Sequence, residues 1–428
     1  MANKFFITSI ILIFSSAVCG GLLIFGAMKW THQWLIVGAI AIVPAVMCGV
    51  LGIVCFIISF QRASEHNTIL SAFHFFIIKY YILYIGNRML RRYRACCKDP
   101  RKVQEDRLLQ IIKKNKNTDY GRQFQLGNIN SLEDLRTRHP VTDYSHYEVF
   151  IDKIAMGENN VLTTEKITRL VLTSGTTGKG KRIPQNDHFH FCRKTLMEAL
   201  QYEMFPDLQP MQPKLFLHCN SPVQKSECGI PIAPLSALEP HVVKNMVAYS
   251  TPPNGFLIEN FDDAMYIHLL FALRERNLGL IFVTFTSLFL ETMKYLQENW
   301  HKLVKDLARG TLNPDLKLLP HIRSSLTIAL GSGDARRASK VQKEFEKGFD
   351  RILLRLWPYL KFIVAVDNVG IRDRLKASFA KGLKICSPMY ITSEVLVGLN
   401  LCSFADEGDD YVLNLVDNVF EFVPESEM

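Results

Sequence analysis

The 428-residue sequence lacks C-x-x-C pairs and N-x-S/T sequons, although it contains ten cysteines. Without paired or regularly spaced cysteines, neither a zinc site nor a disulfide framework is indicated. Internal repeats and low-complexity segments are also missing, so the composition is that of an ordinary globular protein. The missing sequons agree with a cytoplasmic location of the folded part.

Charged residues are absent from two long apolar runs near the N-terminus, residues 5–27 and 34–60. Each run exceeds the roughly 20 residues that cross a bilayer core, so the sequence predicts two transmembrane helices. A cleaved signal peptide is the alternative for the first run. A third apolar segment, residues 69–85, is interrupted by His74 and Lys79, which favours an in-plane or domain-docking helix over a third span.

The formal net charge of +9 lies entirely within residues 1–102, and the remainder of the chain is balanced. A nucleic-acid-binding protein would carry basic and aromatic residues on its folded domain, so no nucleic-acid partner is expected. The basic cluster of residues 88–102 follows the last span and predicts a cytoplasmic domain. We therefore expect an integral membrane protein, in contact with membrane lipid and located in the endoplasmic reticulum. The expected division is an anchor with a basic neck, residues 1–95, and a globular domain, residues 96–428.

A glycine-rich segment, Leu-Thr-Ser-Gly-Thr-Thr-Gly-Lys-Gly-Lys-Arg-Ile-Pro at residues 172–184, follows a short apolar run. Its glycines can turn backbone N–H groups inward, and its hydroxyl and lysine side chains can bind phosphate oxygens. The candidate nucleotide ligands are Thr173, Ser174, Gly175, Thr176, Thr177, Gly178 and Lys181. A strand before the loop would place these groups where open α/β sheets bind ligands.

Three interpretations of this loop are possible. A Walker A loop requires Ser or Thr after the lysine, but Arg182 stands there, and Pro184 argues against the long helix that follows a P-loop. A plain surface turn is the second possibility. The third, which we favour, is the phosphate loop of an adenylate-forming enzyme.

A second motif, Tyr-Ile-Thr-Ser-Glu at residues 390–394, precedes another apolar run. Tyr390 can stack on adenine, the hydroxyls of Thr392 and Ser393 can bind an acyl phosphate, and Glu394 can hold Mg²⁺. The alternative is a strand end with a solvated glutamate. The two motifs together favour ATP chemistry more than either does alone.

The order of these motifs, with Leu356-Trp357-Pro358 between them and Gly-Leu-Asn-Leu at 398–401 after them, resembles the Gretchen Hagen three family of acyl acid amido synthetases. The resemblance implies an α/β fold with a large, multi-sheet, adenylate-forming N-terminal domain, here preceded by transmembrane helices. It implies ATP and Mg²⁺ as cofactors, and a small carboxylic acid and an amine or amino acid as substrates. Lys181 and Glu394 would be the catalytic residues, and Glu394 would be the metal ligand.

The family's third nucleotide motif, Y-R-x-G-D, and its small C-terminal lid domain have no counterpart in these residues. We therefore expect a membrane-anchored member of animal type, truncated at its C-terminus and slow without the lid. The Gly331–Asp334 segment is expected to be a turn. A catalytically inactive, membrane-anchored binding or scaffold protein is the alternative. Strands are expected at residues 169–172, 214–218, 279–285, 362–366 and 396–401.

Overall fold

The computed structural model describes residues 2–28, 32–64, 68–173, 180–244, 246, 248–401 and 410–424. The helices are α1 (Ala2–Met28), α2 (His32–Ser59), α3 (Ile69–Cys96), α4 (Pro100–Asn115), α5 (Asp119–Gln123), α6 (Leu132–Arg138), α7 (Tyr144–Met156), α8 (Asp187–Met204), α9 (Pro240–Val243), α10 (Phe261–Arg274), α11 (Thr286–Arg309), α12 (Pro320–Leu330), α13 (Ala335–Glu346), α14 (Ile352–Leu356) and α15 (Arg372–Ala377). The strands are β1 (Arg169–Leu172), β2 (Arg182–Gln185), β3 (Lys214–Leu217), β4 (Gln224–Lys225), β5 (Pro231–Ala233), β6 (Leu280–Phe285), β7 (Phe362–Val366), β8 (Lys384–Cys386), β9 (Met389–Ile391), β10 (Leu396–Leu399) and β11 (Val412–Leu413).

The two apolar N-terminal runs form long helices, α1 and α2, that pack against each other as an antiparallel hairpin. The Ser16 hydroxyl donates to the Ala45 carbonyl oxygen across 2.9 Å, and a Cβ on Gly52 would lie 2.8 Å from Ile13. Many described outward side chains of both helices are apolar and exposed. The part of α2 from Ile42 to Ser59 and the whole of α3 are long and apolar enough to cross a membrane, a criterion that buried core helices and signal sequences also satisfy.

The open end of the hairpin is attached to the globular part of the chain. Phe5 of α1 and Ile58 of α2 share a buried cluster with Phe75 of α3 and Met211, a residue of the loop before β3. In the segment after α2, the Arg62 guanidinium lies 4.1 Å from the centre of the Tyr359 ring. The Ala63 carbonyl oxygen accepts a hydrogen bond from the Asn277 side chain at 3.2 Å.

Helix α3 continues to Cys96, beyond the predicted end at residue 85, and packs along α8. The helices approach closely, because a Cβ on Gly86 would lie 2.6 Å from the Ala199 Cβ. Lys79 is buried between them and forms an ion pair with Glu198, which also binds Lys214 Nζ at 2.9 Å. Burial opposes ionisation of Glu198, but the ammonium groups of Lys214 and Lys79 outweigh it and hold the carboxyl pKa well below its usual value. This packing agrees with the docking interpretation of the segment, which stays a prediction because α3 is also long and apolar enough to cross a membrane.

A four-stranded parallel sheet, in the order β3-β6-β7-β8, forms the centre of the domain. Successive side chains face opposite sides: Phe362 and Val364 contact Leu280 on one side, while Ile281 and Ile363 pack in the main core on the other. Both sides are buried, as parallel sheets require. The predicted strands at 214–218, 279–285 and 362–366 are confirmed, with ends that agree to within a residue.

Two further sheets complete the domain. The first has the order β2-β1-β5-β4, with β1 antiparallel to β2 and parallel to β5. The second has the order β11-β10-β9 and is antiparallel. The predicted strands at 169–172 and 396–401 are confirmed, although β10 ends at Leu399. The expectation of an α/β domain with several sheets is confirmed by the structure.

Two sequence motifs prove to be structural. Gly331 ends α12 with a φ of 62°, and the Asp334 side chain caps α13 by accepting the Arg337 N–H at 2.8 Å. The predicted turn is therefore confirmed. Trp357 is 1% exposed, and its indole N–H donates to the carbonyl oxygens of Ala272 and Glu275, so it joins the end of α10 to the segment before β7.

Candidate functional site

The glycine-rich loop connects β1 to β2, and its base is closed by two hydrogen bonds. The Thr173 N–H donates to the Lys181 carbonyl oxygen at 2.9 Å, and the Lys181 N–H donates to the Thr173 hydroxyl oxygen at 3.1 Å. A Cβ on Gly180 would lie 2.8 Å from Leu172 Cδ1 and 3.0 Å from the Thr173 carbonyl oxygen, so only glycine fits there without displacing these neighbours. The loop is followed by a strand, not by the helix of a Walker A motif.

The tip of this loop lies outside the described residues. Ser174, Gly175, Thr176, Thr177 and Gly178 all fall within the segment 174–179. Their contacts with a nucleotide therefore stay predictions. Thr173 and Lys181 are described, and they mark the two sides of the loop's base.

Lys181 is exposed at the base of the loop and lies beside the start of α7. Its Nζ is 5.5 Å from the centre of the Tyr144 ring, and the Tyr144 hydroxyl accepts the Arg182 N–H at 3.0 Å. Arg182 itself forms an ion pair with Asp152. Among the described residues, no carboxylate forms an ion pair with Lys181, so its ammonium group is available to an anion.

The second predicted motif forms the end of β9 and the turn into β10. Tyr390 is 51% exposed, with its ring 5.7 Å from that of Tyr411. The Thr392 hydroxyl oxygen accepts the N–H groups of Glu394 at 3.3 Å and Val395 at 3.2 Å, so this side chain stabilises the turn. Glu394 is exposed at the turn. The sequence reasoning did not anticipate the role of Thr392 in the turn.

The structure joins the second motif to the strand that follows the loop through Gln185, the last residue of β2. The Gln185 side-chain amide donates to the Ser393 carbonyl oxygen at 2.5 Å. Gln185 is 5% exposed, and its Oε1 is buried without a hydrogen-bond partner in the described part of the chain. Gln185 pairs with Arg169 at the end of the hairpin away from the loop, so Ser393 is joined to the loop's supporting strand and not to the loop itself.

Sequence reasoning missed Gln185, although one signal was present. Gln185 is a polar residue that directly follows Ile183 and Pro184 in a short strand, and packing buries it. Buried side-chain amides are usually hydrogen-bonded, so Gln185 required a partner. Nothing in the sequence indicates that the partner lies 208 residues away.

A second group of polar residues lies at the carboxyl ends of β6 and β7. The Thr286 hydroxyl donates to Asp367 Oδ1 at 2.8 Å, and the Ile371 N–H donates to the same oxygen at 3.1 Å. Burial raises the pKa of Asp367, but these hydrogen bonds outweigh it and the pKa is lowered. Beside them, Phe285 and Val366 are each 43% exposed. This edge is the usual ligand-binding side of a parallel sheet.

Two buried histidines lie near the end of β3. The Thr251 hydroxyl is 2.8 Å from His268 Nδ1, and His268 Nε2 is 2.7 Å from the His218 carbonyl oxygen. A carbonyl accepts only, so His268 Nε2 carries the proton and Nδ1 accepts from Thr251. Burial lowers the pKa of His218 to about 4 and that of His268 to about 3, so both are neutral at pH 7.

Glu394, the predicted metal ligand, could bind a metal ion only together with donor atoms from a nucleotide and water. Within the described ranges there is no group of three or more His, Cys, Asp or Glu side chains that could hold a metal ion. Glu394 therefore offers one carboxylate. Mg²⁺ commonly binds one or two protein carboxylates together with substrate phosphate oxygens and water, so Glu394 fits a Mg²⁺ ion that arrives with a nucleotide.

A sequence profile described as "GH3 family N-terminal domain" matches residues 89–377, more than half of the chain. GH3 abbreviates Gretchen Hagen three. The matched range begins within α3 and includes the glycine-rich loop, but it ends before Tyr390.

Curated relatives are similar over the same region. "Indole-3-acetic acid-amido synthetase GH3.17" of Arabidopsis thaliana is 27% identical over 340 residues, which cover 75% of this chain and 56% of that protein. "Indole-3-acetic acid-amido synthetase GH3.5" of Arabidopsis thaliana is 25% identical over 339 residues, with coverages of 75% and 55%. The chain thus spans little more than half the length of these relatives.

Solved structures with a similar fold include the "GH3.15 acyl acid amido synthetase", with a TM-score of 0.64, 25% identity, and coverage of 74% of this chain and 58% of that one. A second structure, "AtGH3.15 acyl acid amido synthetase in complex with 2,4-DB", has a TM-score of 0.67 at 22% identity, covering 78% of this chain and 60% of that one. The fold is therefore the mixed α/β fold of these structures.

Proposed function

The chain belongs to the GH3 family, and we propose that it acts as a membrane-anchored, ATP-dependent acyl acid amido synthetase. Such an enzyme joins a carboxylic acid to ATP as an acyl adenylate and then transfers the acyl group to an amine or amino acid. The observation that supports this most directly is the Gln185–Ser393 hydrogen bond, because it holds the 390–394 motif against the strand that carries the phosphate loop.

In the proposed reaction, the loop between Thr173 and Lys181 binds the triphosphate. The Lys181 ammonium, which forms no ion pair among the described residues although the Asp143 carboxylate is near enough to interact with it, would neutralise the charge that develops as pyrophosphate leaves. The exposed Tyr390 ring offers a surface for the adenine base. Glu394 holds Mg²⁺, which would supply positive charge to the phosphate oxygens.

The acid would approach from the carboxyl edge of the parallel sheet. Phe285 and Val366 provide exposed apolar surface there, and the Thr286–Asp367 pair keeps the start of α11 in place. The acid's carboxylate attacks the α-phosphorus of ATP, the bond to the bridging oxygen breaks, and pyrophosphate leaves in line. The exposed apolar surface of Phe285 and Val366 would suit an acid with an apolar body.

The membrane part of the proposal rests on the α1–α2 hairpin and its exposed apolar side chains. Their length suits a bilayer, since each helix has 27 or 28 residues and a bilayer core needs roughly 20. With the basic residues on the side of the globular domain, the domain would face the cytoplasm, where ATP is abundant. We propose the endoplasmic reticulum as the location, and the division at residue 95 as the boundary between anchor and domain.

One observation favours a second candidate, an anchored binding protein without ligase activity. The Thr392 hydroxyl is engaged in its own turn and Glu394 is exposed, which is also the arrangement of an ordinary solvated strand end. A protein of this kind would bind ATP, or an acid, without joining them.

The test is acid-dependent exchange of radiolabelled pyrophosphate into ATP, measured on the full chain in detergent with a panel of carboxylic acids. We expect slow exchange that requires both an acid and Mg²⁺, and that Glu394→Ala abolishes. Glu421→Ala, which removes an exposed carboxylate in the C-terminal segment, is the matched control and should retain the activity. ATP binding without exchange for any acid would replace the ligase by the binding protein.

A further inference from the structure

Helix α3 has two faces of different chemistry. The face that packs on α8 and the hairpin contains the buried residues Ala72, Phe75, Lys79, Gly86, Leu90 and Tyr93. The opposite face is exposed, and one line along it repeats every seven residues: Leu70, Ile77, Tyr84 and Arg91. Seven residues are close to two helical turns, so these four side chains lie above one another on the same side.

The exposed face changes along its length in a fixed order. Leu70 and Ile77 are 78% and 52% exposed, the tyrosine Tyr84 follows at 59%, and Arg88 and Arg91 come last. Apolar side chains, then tyrosine, then arginine is the order in which a helix meets hydrocarbon, interface and headgroups at a membrane. The rise of about 1.5 Å per residue separates Ile77 from Arg91 by about 21 Å, enough to pass from hydrocarbon into the headgroup layer.

The apolar end of this face lies beside the hairpin. Phe75, on the inner side of α3 near its start, shares a buried cluster with Phe5 and Ile58 at the open end of α1 and α2. The exposed Leu70 and Ile77 are therefore close to the level at which the hairpin would leave the bilayer. The buried contact thus places the apolar end of α3 next to the hairpin.

Three exposed arginines at the other end, Arg88, Arg91 and Arg92, form no ion pair with any residue that the structure describes. Their neighbour Arg94 differs, because it binds Glu203 of α8. We propose that Arg88, Arg91 and Arg92 bind the phosphate groups of anionic phospholipids, so that α3 holds the globular domain against the bilayer surface. The inference rests on the proposed membrane attachment, but not on the proposed chemistry.

Lipid phosphate suits this face better than the other anions that arginine binds. A guanidinium group matches a phosphate with two parallel hydrogen bonds. Nucleic acid would leave Leu70, Ile77 and the tyrosines in water, whereas a bilayer buries them in the same contact. An anionic bilayer surface is therefore the partner that fits this face of α3.

The experiment measures lipid selectivity in reconstituted membranes. The full chain is placed in phosphatidylcholine bilayers that contain a trace of spin-labelled phosphatidylserine or phosphatidylcholine, and the protein-bound fraction of each label is read by electron paramagnetic resonance. At low salt we expect phosphatidylserine to be preferred at least about fivefold, the equivalent of about 1 kcal/mol for one engaged arginine. Added salt should reduce the preference, because it screens exposed charges.

Three variants make the assignment specific. Arg88→Gln/Arg91→Gln/Arg92→Gln should bring the preference close to one, and the corresponding triple lysine variant should retain most of it. The control Lys340→Gln/Lys343→Gln/Lys347→Gln removes the same charge from α13 and the residue after it, which lie outside the α3 surface, and should behave like the parent.

The possible failures are distinguishable. A chain that enters the bilayer but shows no preference, or a preference that the glutamine variant keeps, overturns the lipid site and leaves the anchor intact. A chain that does not enter the bilayer overturns both. Absence of pyrophosphate exchange has no bearing on either result.

Discussion

Gln185 donates its side-chain amide to the Ser393 carbonyl oxygen at 2.5 Å, and this contact joins the strand after the phosphate loop to the 390–394 motif, 208 residues further along the chain. Neither residue needs to touch a nucleotide for the contact to matter. Gln185 ends the strand that follows the phosphate loop, and Ser393 belongs to the turn that carries Glu394. The hydrogen bond therefore holds the turn that carries Glu394 against the strand that follows the loop.

Replacement of Gln185 should lower both stability and ATP affinity. Gln185→Leu leaves the Ser393 carbonyl oxygen without its donor, and the loss of a part-buried hydrogen bond costs about 0.5–1.5 kcal/mol. Denaturant unfolding, followed by tryptophan fluorescence, and ATP titration measure the two effects. Gln224→Leu, a change at an exposed glutamine of β4, is the control and should cost less than about 0.5 kcal/mol. Unchanged ATP affinity in Gln185→Leu would show that the two motifs do not form one site.

Removal of the lysine at the base of the loop should weaken ATP binding. Lys181→Ala deletes a charge-assisted hydrogen bond to phosphate, which is worth about 1.5–3 kcal/mol. Calorimetric titration with ATP measures the change, with Lys166→Ala, another exposed lysine, as the control. Equal affinity in Lys181→Ala and the parent would assign the loop to an ordinary surface turn.

The buried ion pairs of Glu198 should contribute far more to stability than the exposed pair nearby. Glu198→Gln leaves the ammonium groups of Lys79 and Lys214 buried without a countercharge, a loss of about 3–5 kcal/mol. Glu203→Gln breaks only the exposed pair with Arg94 and should cost less than about 1 kcal/mol. Free energies of unfolding from denaturant titrations compare the two. Similar values would mean that water reaches the Glu198 cluster.

The two buried histidines predict a loss of stability in acid. Burial holds the pKa of His218 at about 4, against 6.5 for an ordinary histidine, so the unfolded chain binds more protons between these values. Stability is therefore complete above pH 6.5 and falls as the pH decreases towards 4, by up to about 1.4 kcal/mol per pH unit for each such histidine. His218→Gln should reduce the slope by that amount, whereas His321→Gln, at an exposed position, should not.

The anchor predicts an integral membrane protein with a cytoplasmic domain. We expect the full chain to stay in the membrane fraction during alkaline extraction, because the α1–α2 hairpin would be embedded in lipid. Protease added to sealed microsomes should digest the chain beyond Lys102. Release by alkali would contradict the anchor, and protection of the domain would contradict its orientation.

The strands and the motif positions could be predicted from sequence because each depends on local pattern. Short apolar runs predicted β1, β6 and β7, and glycine with hydroxyl residues indicated the loop after β1. Partner choice could not be predicted in this way. The contacts of Gln185 with Ser393 and of Thr286 with Asp367 are set by how the sheets and helices pack, which no single segment encodes.

The extent of helix α3 and the partner of its buried lysine also could not be predicted from the local sequence. Residues 69–85 form a 17-residue apolar segment that is interrupted by Lys79. The structure extends the helix to Cys96 and supplies Glu198 as the partner of that lysine. A buried charge is tolerated where an opposite charge is placed beside it, and that placement depends on residues more than 100 positions away.

The first residues after α2 are held against the globular domain. Arg62 stacks on Tyr359, Ala63 accepts the Asn277 side chain, and Phe5 and Ile58 are packed with Met211. If the hairpin is embedded in lipid, these contacts keep the domain from rotating freely about a flexible linker and from moving away from the membrane surface. The sheet edge proposed to receive the acid would then stay at a constant height above the bilayer, so that a substrate dissolved in the membrane and one dissolved in the cytosol would reach it from different sides.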